Sequence, residues 1–144
     1  MTFEDLELGY PEQITTANGK GCGWSGFKNH CSMRLSQALW AAGFPLTSEA
    51  YKDPLCALNG HKLATGAEAL AKHLEKSLGL AVKGVSKDDI KGKKGIVFFK
   101  DIKGFDNGSS GPDSGDHIDL WDGVKAKSGE YFSEAKSVWF WEVN

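Results

Sequence analysis

An α+β fold, with an N-terminal helix packed on an antiparallel sheet, is predicted by three observations. Apolar residues recur with helical spacing after Cys31, apolar strand-like runs are confined to the C-terminal half, and glycine-rich segments punctuate both. Leu35, Ala38, Leu39 and Ala42 follow Cys31 at intervals of three and four, and Gly43 with Phe44-Pro45 supplies a stop. The first long helix therefore begins near Cys31. Ahead of it runs Asn18-Gly19-Lys20-Gly21-Cys22-Gly23-Trp24-Ser25-Gly26, whose glycines let the backbone approach a ligand closely. Trp24 favours a cleft wall over a plain surface loop.

Thr65-Gly66-Ala67-Glu68 has the spacing of a capping box, and Ala67, Leu70, Ala71, Leu74 and Leu78 then share one helical face that ends at Gly79. Ser86-Lys87-Asp88-Asp89 reads as an N-cap before a short turn closing at Gly92. Gly95-Ile96-Val97-Phe98-Phe99 is a continuous apolar run suited to a central strand buried on both faces. Residues 101–116 are rich in Gly, Ser, Asn and Pro, and so long a connection points to function or to mobility. It leads into His117-Ile118-Asp119-Leu120-Trp121, a strand ending at the hairpin-type turn Asp122-Gly123, and Val138 to Val143 closes the sheet.

At 144 residues the chain suits a single domain spanning 1–144, able to bury a core without disulfide or metal support. A net charge of −2, with scattered basic residues, gives no reason to expect nucleic acid or a membrane as partner. No apolar run is long enough for a transmembrane helix, and Met1-Thr2-Phe3-Glu4-Asp5 lacks the start of a signal peptide. Export would then need a dedicated machine. Cys22, Cys31 and Cys56 show no C-x-x-C spacing and the histidines no ligand spacing, so neither a metal nor any other cofactor is expected. A Cys22 to Cys56 disulfide is possible in an oxidising compartment, but free thiols are the favoured state.

Cys31 and His117 together outline a cysteine-nucleophile hydrolase. A free thiol has a pKa near ~8.5, and a helix N-terminus with an imidazolium beside it can lower that value by units. The unpaired N–H groups of the first helical turn would also favour the oxyanion of a tetrahedral intermediate. The competing reading is a buried structural cysteine in a non-catalytic binding module whose tryptophans form a docking surface. An acyltransferase using the same pair is a third reading. Arg34, one turn after Cys31, is read as a structural salt-bridge partner in preference to a carboxylate-binding residue.

The stretch Asn29-His30-Cys31-Ser32-Met33-Arg34-Leu35-Ser36, with Ala38-Leu39 and Ala42-Gly43-Phe44-Pro45, resembles the nucleophile helix of the type VI secretion amidase effectors of family 4. Gly92-Lys93-Lys94-Gly95-Ile96-Val97 resembles that family's strand before the catalytic histidine, and His117 to Gly123 its histidine strand. The resemblance implies a papain-like (NlpC-type) cysteine peptidase fold with Cys31 as nucleophile and His117 as general base. It implies a peptidoglycan amidase that cuts the γ-D-glutamyl to meso-diaminopimelic acid bond of stem peptides. Such an effector is made in the bacterial cytoplasm, exported by the type VI secretion machinery and active in the recipient's periplasm. A cognate immunity protein protects the producer. Trp24 and Gly26 match the family's approach to the nucleophile and are implied to line the stem-peptide groove. The family's acidic orienter falls after the turn that follows the histidine strand, yet residues 124–130 contain no Asp. Asp119, Ser128 or Glu130 could hold the imidazole. Asp119 is favoured because it shares a strand face with His117.

Overall fold

Gly95, at the start of the predicted central strand, has no room for a side chain: a Cβ there would overlap the Trp141 carbonyl of the next strand. That close approach belongs to a computed structural model that describes residues 1–11, 30–58, 60–105 and 113–144. The helices are α1 (Phe3–Gly9), α2 (Cys31–Ala41), α3 (Ala67–Ser77) and α4 (Lys87–Ile90). The strands are β1 (Leu55–Leu58), β2 (His61–Ala64), β3 (Val82–Lys83), β4 (Gly95–Ile102), β5 (Gly115–Trp121) and β6 (Ala135–Glu142). A β1-β2 hairpin stands apart from a four-stranded antiparallel sheet of order β3-β6-β4-β5.

The period of two in β4 divides the interior. Ile96 and Phe98 join Ile118, Leu120, Trp139 and Trp141 in a core completed by α1, α2 and α3. Val97 and Phe99 face the other way, with Ile90, Trp121, Val138 and Phe140. Burial on both faces explains why β4 reads as a continuous apolar run. His117 pairs in register with Phe99 and Asp119 with Val97, so the two polar residues share one face of β5. As the outer strand on its side, β5 lies against α2.

Two sequence expectations need correction here. The Asp122-Gly123 turn forms, with Asp122 Oδ1 accepting from the amides of Val124 and Lys125 (2.8 Å each) and Gly123 at φ +100. The chain pairs back only at the Trp121–Ala126 bridge, however, and β6 crosses to the far side of β4. Trp139 and Trp141 on one face of β6, with Val138 and Phe140 on the other, require cover from both layers. The expected capping box at Thr65 is also absent. Thr65 Oγ1 donates instead to the Pro54 carbonyl (3.2 Å), and Gly66 is the N-cap of α3 without a side-chain cap. The box at Ser86 and Asp89 does form, as does one at Thr2 and Asp5 that starts α1.

A third correction concerns sulfur. Cys31 keeps its thiol outside any disulfide, but Cys56 is disulfide-bonded, contrary to the expectation of unpaired thiols throughout. Spacing between sulfurs is set by how β1 packs, which no sequence interval reports. Cys22 lies outside the described residues. No helix among the described residues is long and apolar enough to cross a membrane.

Helix α2 is pinned by a buried polar network. Ser32 Oγ donates to the Ala64 carbonyl (2.8 Å), Ser36 Oγ donates to the Ser32 carbonyl (2.7 Å), and Ala64 N donates to Ser36 Oγ (2.9 Å). Every group has a partner, so the network fixes α2 against β2 without a desolvation penalty. Ser36→Ala leaves the Ala64 amide buried and unpaired and is expected to lower unfolding free energy by about 1–3 kcal/mol. Urea denaturation checks this, and an unchanged stability would contradict the network's role.

Candidate active site

His30 is the N-cap of α2 and offers no side-chain cap, and the first intrahelical bond runs from Arg34 N to the His30 carbonyl (2.9 Å). The amides of the first turn, beginning with Cys31, therefore have no intrahelical acceptor. Cys31 is buried at this helix end. Its side chain hydrogen-bonds to His117, whose Nε2 donates to Asp119 Oδ2 at 2.9 Å. Phe99 stacks near the ring (centroids 6.1 Å) and Tyr131 meets it edge-on (5.4 Å), which fixes its plane.

Asp119 is fully buried, and its carboxylate is saturated with donors. Oδ2 accepts from Ser128 N (2.7 Å), Ser128 Oγ (2.9 Å) and Gly129 N (3.2 Å) besides His117. Oδ1 accepts from Leu120 N (2.8 Å) and from Tyr10 Oη–H (3.1 Å). Ser128 Oγ also lies 3.3 Å from His117 Nε2, so one hydroxyl touches both members of the pair. Glu130 is turned elsewhere, ion-paired to Lys87 at 2.9 Å and accepting from Ala126 N.

Burial opposes charge on both partners, yet their attraction prevails. For Asp119 the desolvation is outweighed by the bond and charge of His117 and by Ser128, and its carboxyl is held below the ordinary range. For His117 burial again acts first and downward, but the bond to Asp119 and then that to Cys31 raise the imidazole to about 9. Tyr10 is pushed upward by burial and then by the Asp119 charge, so it remains a phenol donor.

A cleft of about 750 Å³ opens over this group. Cys31 and Arg34 of α2, Gly66 and Glu68 at the start of α3, and His117 and Tyr131 are among its lining residues. The structure thus brings together Cys31, His117 and Asp119, and adds Ser128 to them. Trp24 and Gly26 lie outside the described residues, as do residues 106–112 of the long connection. Arg34 makes no ion pair with any described residue, unlike its sequence reading, and its Nε is buried without a partner. Tyr10 escaped the sequence reading altogether. Gly9-Tyr10-Pro11 carries only turn signals, and nothing local points to a contact with a residue so distant in the chain.

Residues 27–141 match the family model of Tae4, described as type VI secretion system (T6SS), amidase effector protein 4. The chain belongs to this family. It is thus a type VI secretion amidase effector of the Tae4 kind. Its fold is similar to that of the Tae4-Tai4 effector-immunity complex from Salmonella Typhimurium, with TM-score 0.78 and 19% identity over 99% of this chain and 98% of that one. It is also similar to the type VI effector Tae4 from Enterobacter cloacae, with TM-score 0.67 and 23% identity over 82% of this chain and 74% of that one. Among curated proteins none matches.

The His117 shift has a consequence for stability. The folded value of about 9 exceeds the ordinary 6.5, so the native state keeps a proton that the unfolded chain has released. This stabilisation is complete below pH 6.5 and is lost as pH rises through 9; Asp119, shifted the other way, loses its part only as pH falls below 3.8. The stability advantage of the wild type over His117→Gln is expected to shrink by on the order of 3 kcal/mol across the alkaline window. Thermal denaturation of both proteins from pH 5.5 to 9.5 checks this, and a constant gap would contradict it.

Proposed function

We propose that the protein hydrolyses the γ-D-glutamyl to meso-diaminopimelic acid bond of peptidoglycan stem peptides, with Cys31 as nucleophile, His117 as general base and acid, and Asp119 as the orienting group. The observation that carries this reading is the hydrogen-bonded chain from Cys31 through His117 to a buried Asp119 at the floor of a cleft. Family membership supplies the amidase class.

The Cys31 proton already resides on the cationic His117 imidazole, and Sγ attacks the γ-carbonyl carbon as the thiolate. The oxyanion faces the N-terminal end of α2, where partial positive charge is concentrated. Collapse of the intermediate breaks the C–N bond as His117 returns a proton to the departing amine, leaving a thioester on Cys31. Water then attacks the thioester carbon as His117 accepts its proton, the C–S bond breaks to return the Cys31 thiolate, and the glutamyl γ-carboxylate is released. Every step runs on side chains and backbone, with no cofactor required. Asp119 holds the imidazole from within its own strand. Ser128, in the stretch after the turn where the family's acid is expected, serves Asp119 as a donor.

The architecture supports a papain-like (NlpC-type) peptidase, in one domain spanning 1–144, because the nucleophile helix abuts the strand that bears the histidine. Trp24 and Gly26 complete the stem-peptide groove in this reading. The protein leaves the producer through the type VI secretion machinery and acts in the recipient's periplasm. The solved Tae4 of Salmonella Typhimurium is paired with Tai4, and by the same logic a cognate immunity protein guards this producer.

Purified protein is expected to release new amino groups from diaminopimelate-type peptidoglycan, and mass spectrometry of the muropeptides identifies the bond. Cys31→Ala should abolish release with its circular dichroism unchanged, and Asp119→Asn should lower kcat by about 10²–10⁴-fold. Full activity in Cys31→Ala would rule out the mechanism.

A further inference from the structure

We propose that Arg34 binds the free carboxylate beside the scissile amide, so that the enzyme requires an acid at that position and discriminates against its amide; this rests on the γ-glutamyl reading above. Arg34 lines the cleft with Cys31 and His117, and is the one side chain of permanent positive charge among the described lining residues. Its Nε is buried and has no hydrogen-bond partner among the described residues.

That orphan contrasts with the treatment of other charges nearby. Asp119 has all its donors supplied, so it is not waiting for Arg34. Glu68 is ion-paired to Lys100 at 2.8 Å, and Asp116 accepts from Asp101 N at 2.9 Å. An Nε–H withdrawn from water without an acceptor is unfavourable unless a ligand provides one. The planar, two-oxygen partner that its fork matches is a carboxylate.

Position fits the same ligand. Arg34 is three residues after Cys31, on the same helical face, which sets the two Cβ atoms about 5–6 Å apart. In a γ-linked glutamate the free α-carboxylate carbon is four C–C bonds from the acyl carbon, about 5 Å when extended. With Sγ at the acyl carbon, the α-carboxylate reaches the level of Arg34. An ordinary α-linked residue, whose α-carboxyl is itself the scissile acyl group, has no backbone carboxylate to place there. Arg34 thus reads both the γ linkage and the free acid.

The test compares L-Ala-γ-D-Glu-meso-diaminopimelate with the same tripeptide carrying an α-carboxamide on D-Glu, using the full chain. Wild-type kcat/KM is expected to be about 100-fold lower on the amide, chiefly through KM. Arg34→Gln should lose about as much on the acid but little on the amide, so that the preference collapses. Equal wild-type rates on the two substrates would overturn the proposal whether or not the variant folds. An Arg34→Gln protein that loses the same factor on both would overturn it too, by assigning Arg34 a structural role. A wild type that cuts whole peptidoglycan elsewhere, and neither tripeptide, would overturn the γ-glutamyl reading and this subsite with it.

Discussion

A carboxylate with no exposure to water lies at the centre of this molecule, and the site exists because the fold supplies it with partners. Asp119 receives five hydrogen bonds besides that of His117, drawn from the end of α1, from β5 itself and from residues 128 and 129. Burying a charge is strongly unfavourable unless every lone pair is engaged. With all of them engaged, the anion can offset the burial of its neighbour: its hydrogen bond is the first of the influences that raise the His117 imidazole and hold it cationic next to Cys31.

Those partners come from distant parts of the chain, so the local chemistry depends on global topology. The central position of β4 leaves β5 as an outer strand against which the start of α2 can sit. The Ser32 and Ser36 network ties α2 to β2, and Phe99 and Tyr131 restrain the imidazole plane. Tyr10 joins the first helix to the buried Asp119 carboxylate. A helix of seven residues thereby contributes to the site without touching the sulfur.

Much of this was legible from periodicity. The 3.6-residue repeats of α2 and α3, and the apolar runs of β4, β5 and β6, stand out because each buries a full face. The four-residue strands β1 and β2 and the two-residue β3 are too short to carry a pattern. Strand order was hidden too, because pairing across the sheet depends on which faces need cover. At the site, Asp119 could be nominated from its spacing to His117, since a period of two puts both on one face. Tyr10 could not, because its role arises only when the ends of the chain meet: Phe3 N donates to the Asn144 carbonyl (3.2 Å). Thr65 shows the limit of local motifs, since its hydroxyl had a tertiary partner in Pro54 and left the helix uncapped.

The central claim is that a buried Asp119 keeps His117 charged beside Cys31 across neutral pH. Nitrogen-15 NMR of the imidazole, followed from pH 5 to 10 in the wild-type protein, measures that charge directly. The account predicts a His117 titration midpoint near 9. A midpoint at or below the ordinary 6.5 would contradict it.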